Sequence, residues 1–499
     1  MNASEFETEL LLEAERKRNT MPLFARNVIG LVLAIAAIIL LGSGFLIAVA
    51  IGRRFERERY FRRLDALRAQ YGPAVSALLA GRLDHKSVLN RLRSISGPDR
   101  VFMVERLCLE QKPTPAQRPV LRRLCEDLGL VEVWRRDLAG KFLKESFVDS
   151  LSRPEGLLRR VGRLKFIVRA RSAENLRLVR HQPSWPLLVK ALDDPHPDVH
   201  TAAAGALGAL QEPQSFSALV ERLHASVLGP PANLSLRSVK AALVSFPLRQ
   251  SIDLLPSLRH SDSRIRLVAA DVIREMIDRE AAAGSDLVLN SDALGPELVE
   301  VYLTRLCSDE NPEVRARAAP VIACLPEGAC SGDANPTTVL LRLLNDAEWF
   351  VRLHAVRALA RPQKRLTAGL AAALVERLTD ANWRVREAAA RALLKLGPPG
   401  VDKLLEHLVS TQDRYSREQI IEEIERAGLL RTLLAHYAER AGSRERQAIE
   451  QFVNASKTSG LLAVLENGAG PEARDRFIKD FGRHADPQIR AWVEGIARD

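Results

Sequence analysis

Few residues of this 499-residue chain have the types and spacing that chemistry requires. The phosphate-binding pattern G-x-x-x-x-G-K-[ST], the zinc pattern H-E-x-x-H and the nucleophile turn G-x-S-x-G are all absent from the sequence. His196 and His200 stand four residues apart and could share one helix face. A metal site needs further ligands, however, and the sequence does not place any. We therefore predict that the protein is not an enzyme and that it has no catalytic residue, cofactor or metal.

The cysteines give no sign of a disulfide framework. They are an odd number scattered through a long chain, and none forms a C-x-x-C pair. Such a set suits a reducing compartment, where each thiol acts as a small buried apolar side chain. The cysteines are Cys108, Cys125, Cys307, Cys324 and Cys330.

An uncharged stretch from Val28 to Ile51 predicts a membrane-spanning helix. At about 1.5 Å per residue it is long enough to cross a hydrocarbon core of roughly 30 Å. A cleavable signal peptide is the alternative, because Ala48 and Ala50 resemble a cleavage site. The run is longer than a typical signal, and the preceding tail, residues 1–27, is long and partly acidic. We therefore predict an uncleaved transmembrane helix over residues 28–51.

Basic residues flank this stretch unequally. Four lie in the tail and a denser cluster follows the stretch, so the positive-inside rule places the C-terminal side in the cytoplasm and the N-terminus outside. The predicted location is the inner (cytoplasmic) membrane, crossed once. The side chains that we expect to meet anionic lipid head groups are Arg53, Arg54, Arg57, Arg59, Arg62 and Arg63.

Positive charge is concentrated in the first part of the chain. Between Arg53 and Lys190 there are 31 Lys and Arg against 15 Asp and Glu, whereas the whole chain has a net charge of +11. We assign residues 52–184 to a basic, membrane-proximal helical region. Its densest part, Arg153 to Arg180, either faces the membrane or forms a solvated helical face. Nucleic acid is a less favoured partner, because the sequence lacks aromatic stacking platforms and known binding motifs.

Five segments after residue 190 repeat one pattern of spacing. An aliphatic residue is followed at once by a basic one, then by Ala four positions on and by a second aliphatic residue eight positions on. Spacings of four and eight place the apolar residues on one helical stripe. The first aliphatic residues are Val199, Ile265, Val314, Val351 and Val385; the basic residues are His200, Arg266, Arg315, Arg352 and Arg386; the alanines are Ala203, Ala269, Ala318, Ala355 and Ala389; the second aliphatic residues are Leu207, Ile273, Ile322, Leu359 and Leu393.

An acidic residue precedes most of these segments. Five positions before the first aliphatic residue stand Asp194, Asp309, Asp346 and Asp380, and His260 takes this place in the second segment. We expect each Asp to cap the backbone amides of a helix start. We also expect it to pair with the Arg of its own or a neighbouring repeat, which would form a ladder along a stack. His200 replaces Arg in the first segment, which predicts different stacking there.

The period of the pattern is that of a two-helix unit. Val314, Val351 and Val385 are 37 and 34 residues apart, and a degenerate unit from Leu234 fits the larger gap before Ile265. The pattern D-x-x-x-x-V-R-x-x-A-A-x-A-L resembles HEAT repeats, in particular a bacterial type similar to the repeats of phycobilisome lyases. The resemblance implies an all-α fold, in which the single transmembrane helix is followed by a HEAT-like superhelical α-solenoid. The solenoid would cover residues 185–397, with degenerate repeats and a cap over 398–499.

The resemblance also carries the functional prediction. HEAT arrays bind proteins along an extended surface, which implies a membrane-anchored scaffold for a protein partner at the cytoplasmic face. Trp349 and Trp383 take equivalent positions at helix starts, where they either anchor this partner or pack between adjacent repeats. Similar anchored HEAT proteins suggest a glycosyltransferase of the cell envelope as the partner. The alternative is a lyase-like HEAT enzyme or a chromophore-protein chaperone, for which the sequence offers no catalytic constellation.

Overall fold

The structure is a computed structural model that describes residues 8–13, 15, 23–95, 100–110, 113–141, 165–229, 235–282, 294–326, 335–360, 368–439, 443–455, 459–467 and 469–496. Over these ranges the chain forms helices joined by turns, and no β-strand occurs in them. The predicted all-α fold is therefore confirmed for the described ranges.

The chain divides into two compact units, Met1–Ala206 and Leu207–Asp499. The α-helices that begin in the first unit are α1 (Leu23–Leu79), α2 (His85–Arg93), α3 (Arg100–Leu109), α4 (Arg118–Asp127), α5 (Leu130–Leu138), α6 (Lys165–Val179), α7 (Trp185–Ala191) and α8 (Pro197–Leu210). Those that begin in the second are α9 (Gln214–Leu228), α10 (Leu236–Val244), α11 (Leu255–Leu258), α12 (Ser263–Ala282), α13 (Pro296–Glu300), α14 (Pro312–Ile322), α15 (Pro336–Leu343), α16 (Trp349–Leu359), α17 (Ala368–Glu376), α18 (Trp383–Lys395), α19 (Pro398–Ser410), α20 (Arg414–Arg426), α21 (Leu430–Glu439), α22 (Arg444–Asn454), α23 (Ser459–Asn467), α24 (Pro471–Phe481) and α25 (Pro487–Ile496). The five-part division expected from the sequence stays a prediction.

Helix α1 changes character along its 57 residues. The side chains from Leu31 to Phe45 carry no charge and are all exposed, Leu41 to 75%. Further along, Leu64 and Val75 are buried against the helices that follow. Among the residues whose side chains the structure describes, no helix is both long and apolar enough to cross a membrane.

Basic side chains of the first unit form ion pairs with acids of the same unit. Arg171 Nη2 lies 2.6 Å from Glu105 Oε1, and Trp134 Nε1 donates to the other oxygen of Glu105 at 2.9 Å. Arg169 forms two bonds to Asp194. In the basic cluster expected over residues 153–180, residues 153–164 lie outside the described ranges. In the described part, two of the arginines therefore hold the unit together.

Helix pairs stack one after another in the second unit. Helices α10, α12, α14, α16, α18 and α20 each contact the next, and α15, α17 and α19 form a second layer that contacts this row. This is the arrangement of an α-solenoid, in which each pair packs against its neighbours. Helix α10 places Val239 and Leu243 in the core, so the degenerate unit expected near residue 234 is confirmed as a repeat.

The apolar stripe of each repeat lies where the spacing predicts. All fifteen aligned aliphatic and alanine positions, from Val199 to Leu393, have an exposed fraction of 0%. The alanines fit between helices that approach closely, and the aliphatic residues fill the space between layers. Burial of a Val, Leu or Ile side chain contributes about 1.5–3 kcal/mol, so this stripe is the main source of cohesion between repeats.

The cysteines behave largely as expected. Cys108, Cys125 and Cys307 are buried thiols and Cys324 is a half-buried one, and none of these four is in a disulfide. Cys330 lies outside the described residues.

Candidate partner-binding site

A series of Arg–Asp pairs links neighbouring repeats. In each pair, the Arg Nε and Nη2 groups donate to the two carboxylate oxygens of the Asp that precedes the next repeat. The expected ladder is therefore confirmed, and its direction is from one repeat to the following one. The pairs are Arg169–Asp194, Arg266–Asp309, Arg315–Asp346 and Arg352–Asp380, with N–O distances of 2.6–2.9 Å.

Each Arg in the second unit is also fixed by the turn before its own helix. Arg352 Nη1 donates to the carbonyl oxygens of Asp346 and Ala347, both at 2.9 Å. Arg315 donates in the same way to the carbonyls of Asp309 and Glu310, at 2.7 and 3.3 Å. With three nitrogens engaged, the guanidinium plane has one orientation, which suits bidentate binding of a carboxylate.

The Asp residues do not cap the helices, contrary to expectation. Asp380 accepts the Asn382 amide at 2.9 Å, and the side chain of Asn382 in turn caps α18 by accepting the Arg384 amide at 3.0 Å. Before α14, Asp309 likewise accepts the Asn311 amide, and the side chain of Asn311 caps the helix by accepting the Glu313 amide. The reason is geometric. The Asp carboxylate points toward the Arg of the previous repeat, and from there it is too far from the first free amides of the following helix to cap them.

Hydrogen bonding controls the ionisation of these pairs. Burial alone would raise the pKa of Asp380, but hydrogen bonds from Arg352 and the Asn382 amide outweigh it and hold the pKa below its usual value. The pKa of Asp346 is lowered for the same reasons, with Arg315 as the donor. The bond to Asp380 also raises the pKa of Arg352. Both partners of the Arg315–Asp346 and Arg352–Asp380 pairs therefore stay charged at neutral pH.

The series stops at Arg386. Its Nη1 donates to the carbonyls of Asp380 and Ala381 at 2.8 and 3.3 Å, as in the earlier repeats. The position of the next Asp is taken by Thr411, whose hydroxyl instead accepts the Asp413 amide at 3.2 Å. Within the described residues, Arg386 has no carboxylate partner, and its Nε is buried without a hydrogen bond.

The two tryptophans expected to bind a partner are brought together by one arginine. The guanidinium carbon of Arg384 lies 5.5 Å from the ring centre of Trp349 and 5.4 Å from that of Trp383, which is the distance of cation–π contacts. Trp349 is half-buried and Trp383 is 52% exposed. Thus Trp349 contacts the neighbouring repeat through Arg384, while Trp383 presents a free face. A role in partner binding stays a prediction for both.

One further aromatic residue extends this surface. Tyr415, at the start of α20, is 68% exposed, and its ring centre lies 5.9 Å from the guanidinium carbon of Arg386. We use the name entry patch for Trp349, Trp383, Arg384, Arg386 and Tyr415. All of them lie in the first turns of successive helices in one layer.

Three of these residues were not predicted from the sequence. Arg384 and Tyr415 do not occupy positions of the repeat pattern, so the periodicity gave no reason to select them. Arg386 was recognised as a repeat residue, but not as an unpaired one. The signal for it was available in the sequence, since alignment of one more repeat would place Thr411 where Asp is required.

The arginines expected at the membrane surface lie along α1. Arg54 and Arg62 both contact Glu58, at 3.4 and 3.3 Å, and their side chains are 82% and 77% exposed. Arg59 and Arg63 are exposed as well. The side chains of residues 53 and 57 lie outside the described set. Contact of these arginines with lipid stays a prediction.

The histidines at 196 and 200 have separate partners. The His196 ring stacks on Phe166, with ring centres 3.4 Å apart, and its Nδ1 accepts the Asp198 amide at 3.3 Å. His200 Nε2 contacts the Asp194 carbonyl, so it replaces only the part of Arg that binds the turn. Over the described ranges, no group of three or more His, Cys, Asp or Glu side chains could hold a metal ion.

Two stretches of the sequence, residues 157–228 and 336–425, match the family model for HEAT repeats. The chain contains HEAT repeats. Between the two matched stretches, Ile265 and Val314 keep the same buried position, and the pair formed by Arg266 and Asp309 links their repeats. The repeat architecture therefore continues through the unmatched middle of the array.

The solved structures that match the chain are distant from it in sequence. A complex of Kap95p with RanGDP is 11% identical, with a TM-score of 0.37 over 89% of this chain and 64% of that one. Importin beta is also 11% identical, with a TM-score of 0.33 over 88% of this chain and 64% of that one. A Pds5–Scc1 complex is 12% identical, with a TM-score of 0.32 over 84% of this chain and 68% of that one. No curated protein sequence matches the chain.

Proposed function

We propose that this protein is a non-enzymatic HEAT-repeat scaffold that binds a protein partner through the entry patch. The observation that carries the proposal is the Trp349–Arg384–Trp383 arrangement. Tryptophan, tyrosine and arginine dominate the energetics of protein interfaces, because they combine a large apolar area with directional polar contacts. The entry patch consists of these three residue types alone.

The exposure of the patch supports a binding role over a structural one. Trp383 keeps half of its surface in contact with water, although a tryptophan that only packed between repeats would be covered. No carboxylate among the described residues pairs with Arg384, so its charge is available to an incoming group. The aromatic rings hold the guanidinium in place before binding, which reduces the entropy lost when a partner docks.

Quantitative co-purification tests this function. The full chain is compared with the double variant Trp383→Ala, Arg384→Ala and with a control, Arg264→Ala. Arg264 takes the place of Arg384 in an earlier repeat, its side chain is 62% exposed, and its one acidic partner among the described residues is Asp262. We expect one protein to be retained by the native chain and the control and lost from the double variant. Equal recovery of every protein with all three chains would contradict the proposal.

We also propose that residues 28–51 anchor the scaffold in the cytoplasmic membrane, with the N-terminus outside and the solenoid in the cytoplasm. The proposal rests on the uncharged sequence of the whole stretch, of which the structure describes the side chains of 31–45, 47, 48 and 51. Large apolar side chains on every side of a helix are unfavourable in water at about 25 cal/mol per Å². Lipid removes this cost, because a helix satisfies its own backbone groups there.

Membrane fractionation tests the anchor. We expect the full chain to stay with membranes at high salt, which screens head-group attraction but leaves apolar insertion intact. A chain that lacks residues 1–52 should be released. A reporter fused after Asp499 should be cytoplasmic, and replacement of Arg53, Arg54, Arg57 and Arg59 by Glu should weaken or invert the insertion. Cleavage after Ala50 with release of the mature chain would contradict the proposal.

A further inference from the structure

We infer that the partner segment recognised by the entry patch is an acidic linear peptide, and that one of its carboxylates binds Arg386 in the place of the missing Asp. The inference rests on the proposed function and specifies the chemistry of the partner. Three conditions must hold. The guanidinium of Arg386 must be oriented to bind a carboxylate, and the described residues must not supply that carboxylate. Apolar side chains must also lie beside the guanidinium.

The two preceding repeats show how the guanidinium is oriented for a carboxylate. In Arg315 and Arg352, Nη1 binds two turn carbonyls while Nε and Nη2 bind the Asp of the next repeat. Arg386 makes the same pair of carbonyl bonds. Its guanidinium is therefore held in the same way, with Nε and Nη2 directed toward the following repeat. These two N–H groups form the fork that a carboxylate fits with both oxygens.

Among the described residues, none supplies this carboxylate. Thr411 carries a single hydroxyl oxygen at the Asp position, and that oxygen already accepts the Asp413 amide. Asp413 itself caps α20 by accepting the Tyr415 amide at 3.0 Å. On the helix of Arg386, Glu387 instead pairs with Arg391 at 2.7 Å. The buried Nε of Arg386 is thus a donor whose hydrogen bond is unmade, a condition that costs free energy and that a ligand can relieve.

Apolar contacts flank the site on both sides. Tyr415 lies over the guanidinium of Arg386, and Trp383 exposes a ring face three residues before it along α18. Arg384, which lies between Trp383 and Tyr415 in the sequence, adds a second positive charge. A peptide that alternates acidic and apolar residues meets this arrangement, because its acids reach Arg384 and Arg386 while its apolar side chains cover Trp383 and Tyr415. A carboxylate is preferred to a phosphate because Arg266, Arg315 and Arg352, the equivalent arginines of the preceding repeats, bind carboxylates.

Fluorescence anisotropy of a labelled peptide tests the inference with the full chain. The probe is a fluorescein-labelled dodecapeptide that alternates Asp and Leu, and its control has Asn in place of every Asp. We expect the Asp peptide to bind at least about tenfold more tightly than the Asn peptide, as the loss of a charge-assisted pair implies. Arg386→Gln should weaken the binding of the Asp peptide about tenfold, whereas Arg264→Gln should leave it unchanged.

A second variant keeps the test valid if Arg386→Gln disturbs the fold. Thr411→Asp supplies the missing carboxylate from within the chain, so it should stabilise the stack and still weaken binding of the Asp peptide about tenfold. Thr411→Asn, of nearly equal size and without charge, should not weaken binding. Binding of the Asp peptide that Thr411→Asp leaves unchanged would overturn the inference.

The remaining outcomes separate this inference from the proposed function. Equal affinity for the Asp and Asn peptides would overturn the acidic chemistry. Preference for a fluorescein-labelled single-stranded DNA or for soluble dihexanoyl phosphatidylserine, lost on Arg386→Gln, would likewise overturn it in favour of a phosphate ligand. In any of these cases, a partner that co-purifies with the native chain and is lost from the Trp383→Ala, Arg384→Ala variant would leave the scaffold function standing.

Discussion

The pair formed by Arg352 and Asp380 shows how one buried ion pair contributes to the stability of the stack. The side chains are only 14% and 3% exposed, so neither charge could remain without the other. Removing one partner of a buried pair leaves an uncompensated charge, which typically costs 3–5 kcal/mol, whereas surface pairs contribute about 0–1 kcal/mol. The same chemistry is left incomplete at Arg386, where we propose that a carboxylate of the partner binds.

Arg352→Ala should therefore be strongly destabilising. We expect a loss of about 3–5 kcal/mol, because Asp380 would keep its burial and lose its two strongest donors. The control is Arg414→Ala, which breaks an exposed pair with Glu418 and should cost less than about 1 kcal/mol. Urea unfolding followed by circular dichroism measures both variants. Equal shifts of the two unfolding midpoints would show that the Arg–Asp pairs do not hold the repeats together.

His354 should make the stability of the second unit depend on pH. Burial, with Arg317, Arg357 and Arg274 nearby, lowers the pKa of His354 to about 4. The unfolded state, with an ordinary His pKa near 6.5, binds the proton first, so stability is full above about pH 6.5 and falls as pH drops toward 4. We expect a loss of roughly 2–3 kcal/mol between pH 7 and pH 4.

The matched variant for this effect is His354→Gln. It should unfold with a nearly constant urea midpoint between pH 6.5 and pH 4.5, a window that lies above the titration of the lowered-pKa residues Asp346 and Asp380. If the native chain and His354→Gln lose stability in parallel over this window, His354 is not the group responsible.

At the level of helices, Gly208 permits a close approach of two backbones. A Cβ atom added at Gly208, in α8, would lie 2.9 Å from the Cα and 3.0 Å from the carbonyl oxygen of Ala242 in α10. Both of these are backbone atoms, so the helices would have to separate. Gly208→Ala should cost about 1–3 kcal/mol in spite of the better helix propensity of alanine.

Gly205 in the same helix provides the control. A Cβ atom there would have Arg177 Cδ at 3.9 Å as its nearest neighbour, which is ordinary contact. Gly205→Ala should therefore be neutral or stabilising by up to about 1 kcal/mol. Thermal unfolding of the two variants decides the point, and a destabilisation of similar size in both would show that helix packing at Gly208 is not tight.

The features that could be predicted from the sequence are those that depend on a single helix. The spacing of four and eight residues identified each buried stripe, including Val351 and Ala355, because a helical period depends on local geometry alone. The sequence predicted the Arg–Asp pairs but not which neighbouring repeat each Arg binds. That choice depends on the rise from one repeat to the next. The sequence also assigned capping to Asp380 although Asn382 performs it, because the exact residue at which a helix begins is not fixed by periodicity. The bridging role of Arg384 between Trp349 and Trp383 required the distance between two helices.

At the scale of the whole molecule, two elements of different character are joined in one chain. An N-terminal helix with exposed apolar side chains precedes a stack of HEAT repeats. Apolar stripes and Arg–Asp pairs hold neighbouring repeats of this stack together. If the helix lies in a membrane, as we propose, it confines the solenoid to a thin layer and raises the effective concentration of any partner in the same layer. A peptide affinity in the micromolar range would then be sufficient for stable association.

Site-specific photo-crosslinking in living cells tests whether the entry patch binds a protein partner. The photoreactive residue p-benzoylphenylalanine is placed at position 383 of the full chain, where it keeps an aromatic ring, or at the control position 264. We expect a discrete crosslinked protein from position 383, absent from position 264 and reduced by Thr411→Asp. Crosslinks of equal yield from both positions, or their absence from position 383 while other surfaces capture a partner, would contradict this expectation.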